Sequence, residues 1–391
     1  MRSFSAQYVF TNTSAPLKRG IVTTDNHGNI LTVEDTKGQL SERRSVEFFD
    51  GIIIPGFVNC HCHLELSHMK GLISRGTGLG DFVMQIRLSR EKTIQEIASS
   101  AAVADQEMLD EGIVLCADIC NTSDTFNLKK KSNIPYKNLL EVFGLNPDKA
   151  GKRIEEIKIV AQAALSLDLP FSIVPHSTYS LSVPLFRLVK ELGETNEITS
   201  IHFLETESER EFLENRSGEL MDSYIRSGIV SSVIETAENP VNAIINTVTR
   251  SGNLLLVHNT FARREDVRAL KSRGRSFWCL CPGSNMYITG KVPPADMLLE
   301  EGCDIVIGTD SLASNHRLSI LEEIKVLQAS FPSLTLEKLI SWSTLNGARA
   351  LNEEGLFGSI EPGKKPGILL LQNADIINMK LLPETTVKRL I

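Results

Sequence analysis

Between residues 53 and 309 the chain alternates short, β-rich apolar runs with longer segments that carry helical apolar spacing. Strand–helix alternation predicts a parallel sheet, because each helix returns the chain so that the next strand runs in the same direction. Eight repeats predict an α/β fold whose sheet closes into a (β/α)8 TIM-like barrel. The predicted strands are residues 53–59, 113–118, 139–143, 171–175, 199–203, 254–258, 276–281 and 304–309, with helices at 94–109, 153–164, 183–192, 264–273 and 320–327.

The two ends of the chain have a different pattern, with short strands and turns in place of helical spacing. Strands are predicted at residues 6–10, 19–24, 30–34 and 45–49, and a further strand at 368–371 follows a turn rich in Gly and Pro. We therefore predict a small β-sandwich built from residues 1–54 and 358–391. The barrel is predicted to occupy residues 55–357.

Composition restricts the classes of partner. The net charge of the 391 residues is −7, so the chain is a poor ligand for polyanions, and we interpret the run Lys129-Lys130-Lys131 as a solvated loop. The amino terminus lacks the apolar region of a signal peptide, and no apolar stretch approaches the roughly 18 residues of a membrane span. Seven cysteines, mostly in apolar runs, fit free thiols in a reducing compartment. We expect a cytoplasmic protein with a small-molecule substrate and no nucleic-acid or membrane partner; a homo-oligomer remains open.

The first predicted strand ends in a His-x-His pair, His61 and His63. Side chains alternate along a strand, so both imidazoles lie on one face, where two neutral ring nitrogens can hold a transition metal. Taken alone, the pair is better interpreted as two structural histidines on a half-exposed strand. Cys60 and Cys62 alternate onto the opposite face, and we interpret them as packing residues.

The fifth predicted strand ends at His202, with Glu205 three residues later. His202 can supply a third metal ligand. Glu205 can act as a proton shuttle above the metal if an apolar environment raises its pKa. The alternative is an exposed acidic loop, which is plausible for Glu207 and Glu209.

His258 and Asp310 follow the sixth and eighth predicted strands. Asp310 would complete a site of three nitrogens and one oxygen and could take a proton from the metal-bound water, whereas His258 could hydrogen-bond that water or the substrate. Their ordinary alternatives are a helix N-cap for Asp310 and a core histidine for His258. Jointly the metal site is favoured, because the carboxyl ends of barrel strands meet at one face and chance would not gather these groups there.

Several stretches resemble the amidohydrolase superfamily, above all its branch of metal-dependent aminohydrolases. That branch includes S-adenosylhomocysteine/methylthioadenosine, guanine and aminodeoxyfutalosine deaminases and the triazine chlorohydrolases. The matching stretches, which together cover nearly the whole chain, are Pro-Gly-Phe-Val-Asn-Cys-His-Cys-His-Leu-Glu (55–65), Pro-His-Ser-Thr-Tyr-Ser (175–180), His-Phe-Leu-Glu (202–205), Val-His-Asn (257–259), Gly-Thr-Asp-Ser-Leu-Ala-Ser-Asn (308–315) and Gly-Ser-Ile-Glu-Pro-Gly-Lys (358–364).

The resemblance implies one metal ion and not two, because no lysine that could be carbamylated ends the fourth strand and His176 occupies that region. Zinc is the expected metal, with iron as the alternative, since a site of three nitrogens and one oxygen admits both. It implies these roles: metal ligands His61, His63, His202 and Asp310; catalytic residues Glu205, His258 and Asp310; and a substrate contact at His176. Glu65, in a His-Leu-Glu-Leu-Ser segment similar to aminodeoxyfutalosine deaminases, is a further candidate substrate contact. Arg87 could contact a carboxylate or a ring oxygen, although a surface arginine is an equally good interpretation.

The implied reaction is hydrolytic deamination of an amino-substituted N-heterocycle with release of ammonia. A purine base or nucleoside is the expected substrate, such as S-adenosylhomocysteine, an adenosine-type compound or an aminodeoxyfutalosine-like one. Two alternatives stay open. The same site could carry out amide, ring-opening or chloro-heterocycle hydrolysis, or the barrel could be a catalytically silent metal-binding module.

Overall fold

The computed structural model describes residues 1–39, 45–228, 239–248, 252–272 and 274–391. The strands are β1 Arg2–Val9, β2 Leu17–Lys18, β3 Ile21–Thr24, β4 Ile30–Glu34, β5 Val46–Pro55, β6 Phe57–Cys62, β7 Ile113–Cys120, β8 Tyr136–Val142, β9 Phe171–Pro175, β10 Ile198–Phe203, β11 Asn253–His258, β12 Ser276–Leu280, β13 Asp304–Ile307, β14 Ile368–Gln372 and β15 Thr386–Arg389. The helices are α1 Gly78–Ser89, α2 Ile94–Asp110, α3 Phe126–Lys129, α4 Ala150–Ser166, α5 Val183–Leu192, α6 Glu207–Asn215, α7 Glu219–Arg226, α8 Pro240–Thr247, α9 Arg264–Lys271, α10 Pro282–Ile288, α11 Ala295–Glu300, α12 Ile320–Ser330, α13 Leu336–Ser343 and α14 Leu345–Ala350.

Eight parallel strands, β6 to β13, form two four-stranded sheets in chain order. The edges of the two sheets meet at both sides through isolated parallel bridges, Ser177 with His202 and Cys62 with Asp310. The backbone N–H of His202 donates to the carbonyl of His176 at 2.8 Å, and that of Asp310 donates to the carbonyl of His61 at 3.0 Å. The alternation of eight strands with helices predicted from the sequence is confirmed.

The apolar residues of these strands are buried on both faces, as in parallel sheets covered by helices. Successive residues alternate between two buried clusters. The first holds Leu255, Val257, Phe277, Cys279 and Val306, and the second holds Leu256, Trp278, Leu280, Ile305 and Ile307. The strand interiors are filled largely with apolar groups, whereas His61, His202 and Asp310 lie at or just beyond the carboxyl ends of their strands.

The first predicted strand of this set was placed too early. Ile53 and Ile54 belong to β5, which pairs antiparallel with β14, and the parallel strand β6 begins only at Phe57. Gly56 separates the two strands at a crowded point, since a Cβ there would lie 2.3 Å from the Val114 side chain and 2.6 Å from the Pro366 carbonyl. An apolar run alone does not reveal where one sheet ends and another begins.

Strands from both chain ends join in a seven-stranded sheet, ordered β15-β14-β5-β1-β3-β4 with β2 beside β1. The predicted sandwich is therefore one continuous hydrogen-bonded sheet, because β5 is long enough to pair with β1 along one edge and with β14 along the other. The division into a part formed by residues 1–54 and 358–391 and a barrel formed by residues 55–357 stays a prediction.

Two further expectations concern burial. The seven cysteines are free, and six of them are buried, as expected for packing residues. The basic run is not wholly solvated, because Lys129 is buried against Asp118 on β7 while Lys130 and Lys131 are exposed. Among the described residues, no helix is both long and apolar enough to cross a membrane.

Candidate active site

Three imidazoles and one carboxylate converge where the parallel strands end. His61 lies in β6, His63 follows it directly, His202 lies near the end of β10, and Asp310 follows β13. One ring nitrogen from each histidine lies within 4.8 Å of the other two. The Asp310 Oδ1 atom is 3.6 Å from His61 Nε2 and 3.4 Å from His63 Nε2. All four side chains are buried.

The donor set fits a divalent metal ion. The Nε2 atoms of His61 and His63 are 3.1 Å apart, and a tetrahedral zinc ion with bonds of about 2.0–2.1 Å holds its ligands roughly 3.3 Å apart. Burial and the neighbouring imidazoles lower the pKa of His63 and, to about 3, that of His202. Neutral imidazoles present lone pairs to a metal, so the cluster is ready to bind one.

A hydrogen bond fixes the tautomer of His202. Its Nδ1 donates to the backbone carbonyl of His176 at 2.7 Å. The lone pair is therefore on Nε2, the ring atom on the opposite side from that carbonyl.

Asp310 is held as a carboxylate. Its Oδ2 accepts hydrogen bonds from the hydroxyls of Ser284 and Ser314, both at 2.6 Å, which leaves Oδ1 toward the histidines. Burial alone would raise the pKa of Asp310, but the hydrogen bond from His61 and the nearby imidazoles outweigh it, so the pKa lies well below its usual range. The N-cap alternative is wrong, because the next helix, α12, begins at Ile320 and is capped by Ser319.

The backbone at these strand ends is strained. Leu204, His258, Asn259 and Asp310 all have positive φ, at 48°, 76°, 59° and 57°. Non-glycine residues rarely adopt this region, and such strain is concentrated at functional sites. These turns aim Glu205, His258 and Asp310 at the same space.

Glu205 and His258 lie beside the cluster and face each other, with Oε1 of Glu205 3.7 Å from Nε2 of His258. Burial, followed by the charges of Asp310 and Glu209, raises the pKa of Glu205 well above its usual range, which favours a protonated acid. The amide of Asn285 donates to His258 Nδ1 at 3.1 Å, so Nε2 carries the proton. His258 therefore presents an N–H on the side of its ring that faces Glu205.

The expected acidic loop after β10 is a helix, α6, and its residues differ in burial. Glu207 is exposed, whereas Glu209 is fully buried. Glu209 accepts hydrogen bonds from the Thr178 hydroxyl at 2.8 Å and from the Glu205 backbone N–H at 3.1 Å. Burial raises the pKa of Glu209 to about 7.

The candidate substrate contacts occupy different surroundings. His176 is half-buried and stacks on His202, with ring centroids 4.5 Å apart. Glu65 is buried and paired with Arg90, and its Oε2 accepts from the backbone N–H groups of Asn121 and Thr122, each at 3.1 Å. Arg87 is exposed on α1. The cation that meets Glu65 is therefore Arg90, one turn beyond the arginine selected from the sequence.

The sequence prediction also missed Glu141 and Asn121, which follow or end neighbouring strands. Glu141 lies in β8, with Oε1 3.5 Å from His202 Nδ1. Its signal was an ionisable residue near the carboxyl end of a strand, which is also the position that identified His202. Asn121 directly follows β7 and donates to Glu141 Oε2 at 3.0 Å.

Comparison with known proteins places the chain in a family. The model of the amidohydrolase family matches residues 52–388. The chain belongs to the amidohydrolase family. This amidohydrolase is 27% identical over 338 residues to an adenosine deaminase of Helicobacter pylori, covering 82% of this chain and 78% of that protein.

Solved structures agree with that assignment. An aminofutalosine deaminase of Helicobacter pylori in complex with methylthio-coformycin superposes on this amidohydrolase with a TM-score of 0.77 at 25% identity, covering 95% of this chain and 92% of that one. Atrazine chlorohydrolase of Arthrobacter aurescens, complexed with zinc, has a TM-score of 0.71 at 16% identity and covers 94% of this chain and 86% of its own, which is a likeness of fold alone.

Proposed function

We propose that this amidohydrolase is a zinc-dependent deaminase that replaces the exocyclic amine of an adenine-type ring with oxygen and releases ammonia. The observation that carries the proposal is a cluster of three imidazoles and one aspartate beside a carboxyl whose pKa is strongly raised. Deamination needs both an activated water and a proton donor, and these groups can supply them. The deaminases among its relatives support the choice of reaction.

The zinc ligands in this proposal are His61, His63 and His202 through nitrogen and Asp310 through Oδ1. A bound divalent ion lowers the pKa of water toward neutrality, which provides a nucleophile at physiological pH. The zinc complex of a structural relative supports zinc over iron.

Side chains of the protein carry out the remaining steps of the proposed reaction. Asp310 accepts the proton of the attacking water on its carboxylate, which the hydroxyls of Ser284 and Ser314 hold in place. The Nε2–H of His258 hydrogen-bonds the attacking oxygen and holds it in line with the ring carbon. Glu205 donates its proton to the adjacent ring nitrogen, so the tetrahedral adduct avoids a full negative charge.

Collapse of the adduct completes the exchange. The C–N bond to the exocyclic amine breaks, and the proton held on Asp310 passes to the leaving nitrogen, which departs as ammonia. As the C=O bond forms, the remaining hydroxyl proton of the adduct returns to the carboxylate of Glu205, and the proton that Glu205 delivered stays on the ring nitrogen of the product. His176, Glu65 and Arg87 remain the proposed substrate contacts, with His176 the nearest to the cluster through its stacking on His202.

The test is release of ammonia by zinc-loaded protein incubated with adenine, adenosine, 5′-substituted adenosines, guanine, pterins and chlorotriazines. We expect ammonia from at least one adenosine-type compound, and none from the Glu205→Gln variant at unchanged zinc content. Chloride release without ammonia would favour the chloro-heterocycle alternative. Zinc-loaded protein that is inert across the panel would favour the silent metal-binding module.

A further inference from the structure

A chain of polar contacts runs from the rim of the strand ends to the candidate ligand His202. The guanidinium of Arg90 donates through one terminal nitrogen to Glu65 and, at 3.0 Å, to Asn121 Oδ1. The amide of Asn121 then donates to Oε2 and to the backbone carbonyl of Glu141, at 3.0 and 3.2 Å. Finally, Glu141 Oε1 lies 3.5 Å from His202 Nδ1. The side chain of Arg90 is 29% exposed, whereas that of Glu141 is 3% exposed.

At the inner end of this series of contacts, the hydrogen-bonding capacity of Glu141 is incompletely satisfied. Among the described residues, Glu141 Oε1 is a buried oxygen with no hydrogen-bond partner within normal distance. A buried acceptor without a donor is costly, so its persistence calls for an explanation. The N–H of His202, whose Nδ1 lies 3.5 Å away, is a donor that can share its proton between this oxygen and the carbonyl of His176.

Glu141 could in principle be a second-metal ligand, since it clusters with His176 and His202. The geometry of His202 argues against this role. Its Nδ1 already donates its proton to the His176 carbonyl at 2.7 Å, and Glu141 approaches this same edge of the ring. A metal bound at Nε2 lies on the other side of the imidazole, out of reach of Glu141.

We propose that Glu141 is a positioning residue for the metal ligand His202, and that Arg90, Glu65 and Asn121 hold Glu141 in place. The inference rests on the zinc site proposed above. A carboxylate behind a metal-bound imidazole fixes the orientation of its ring and increases its basicity, and loss of such a partner typically weakens metal binding 10- to 100-fold.

Asn121 is well suited to transmit position along this chain. Its carbonyl oxygen accepts from a guanidinium, its amide nitrogen donates to a carboxylate, and its backbone N–H donates to Glu65 Oε2 at 3.1 Å. Each polar group thus has a partner of the opposite kind, so rotation of the Asn121 amide would replace favourable contacts with unfavourable ones. A substitution of Arg90 should therefore alter the orientation of the His202 ring.

Zinc affinity measured by competition with a chromogenic chelator tests the proposal without reference to catalysis. Glu141→Gln keeps the size of the side chain, but once its oxygen accepts from Asn121 its amide N–H faces the N–H of His202. We expect zinc to bind this variant about 10-fold or more weakly, and Arg90→Met to bind it several-fold more weakly. The visible spectrum of the cobalt-substituted Glu141→Gln protein should shift as well, because the ligand geometry changes.

Two variants serve as matched controls, Glu155→Gln for the lost charge at Glu141 and Lys92→Met for the lost cation at Arg90; both residues are exposed. Neither should alter zinc affinity. Equal zinc affinity in the wild type and in a folded Glu141→Gln variant would overturn the positioning role. A wild-type protein that binds two zinc ions per chain, with only one bound by the variant, would also overturn it, because Glu141 would then be a metal ligand. Wild-type protein that fails to bind zinc would instead overturn the proposed function.

Discussion

Two carboxyl groups in one site have pKa values displaced in opposite directions. Glu205 is buried and lies near the negative charges of Asp310 and Glu209, so its pKa is raised. Asp310 is equally buried, but it faces imidazoles and accepts two hydroxyl hydrogen bonds, and its pKa is lowered. Environment rather than residue type therefore separates the acid from the base.

The pH profile of turnover should depend on Glu209. A general acid works only while protonated, so kcat should fall as the pH rises through the raised pKa of Glu205. The pKa of Glu209 is about 7, so this residue is ionised on the alkaline side and helps to keep the Glu205 pKa high. Glu209→Gln should therefore move the alkaline limb of kcat to lower pH.

Exposed Glu207 is the matched control for that experiment. Glu207→Gln removes the same charge from the surface of α6 and should leave the alkaline limb in place. An unchanged limb in Glu209→Gln would mean that a different group provides the proton.

Gly308 controls the position of His61. A Cβ at this residue would lie 2.7 Å from the Cβ of His61, which is closer than real Cβ atoms approach, and 3.0 Å from the backbone nitrogen of His61, which is a tight contact. Gly308→Ala should therefore displace His61 and weaken zinc binding, as measured by chelator competition. Gly355→Ala, where a Cβ meets nothing within 4 Å, is the control and should bind zinc normally.

At the scale of elements, a buried ion pair joins α3 to β7. Lys129 Nζ lies 2.5 Å from Asp118 Oδ2 and also donates to Asn138 at 2.9 Å, and neither charged side chain has exposed surface. Asp118 Oδ1 in turn accepts from the backbone N–H of Leu64 at 2.7 Å. The pair therefore anchors the residue that directly follows His63.

Removal of the cation should be strongly destabilising, because Asp118 would be left as an uncompensated buried charge. Lys129→Met is expected to lower the free energy of unfolding by about 3–5 kcal/mol in urea titrations. Adding Asp118→Asn should recover part of the loss. Lys130→Met, at an exposed neighbour, should change stability by less than about 0.5 kcal/mol.

The position of the site could be predicted from the sequence, but its supporting contacts could not. His61, His202 and Asp310 each end an apolar run, and parallel topology brings such ends together. Burial of Lys129, by contrast, depends on Asp118 and Asn138, and neither the charge nor the spacing of the basic run indicates that pairing.

Some predicted boundaries of the strands were wrong for a similar reason. Ile52–Ile54 and Phe57 look alike as apolar residues, yet they belong to different sheets, because the assignment depends on pairing with the distant strand β14. The sequence alone also could not separate Arg87 from Arg90. The two arginines lie about one helical turn apart, and only the orientation of α1 decides which of them contacts Glu65.

At the scale of the whole molecule, the fold gathers ligands that are nearly 250 residues apart in the chain. His61 and Asp310 come from the first and last strands of the parallel set, and the bridge between Cys62 and Asp310 joins these strands. A metal held by both should therefore stabilise the closure of the two sheets as well as the site itself.

Zinc should consequently raise the melting temperature. A ligand that binds only the folded state at 1,000 times its Kd adds about 4 kcal/mol to the free energy of unfolding. Thermal denaturation with and without zinc measures the effect, and Asp310→Asn should reduce it. Equal stabilisation by zinc in Asp310→Asn and wild type would indicate binding elsewhere.

Diffraction at the zinc absorption edge from crystals of zinc-loaded protein tests the shared site most directly. The predicted result is one strong anomalous peak within bonding distance of His61, His63, His202 and Asp310. A peak at any other cluster, or no peak at these residues in crystals whose protein contains one zinc per chain, would contradict it.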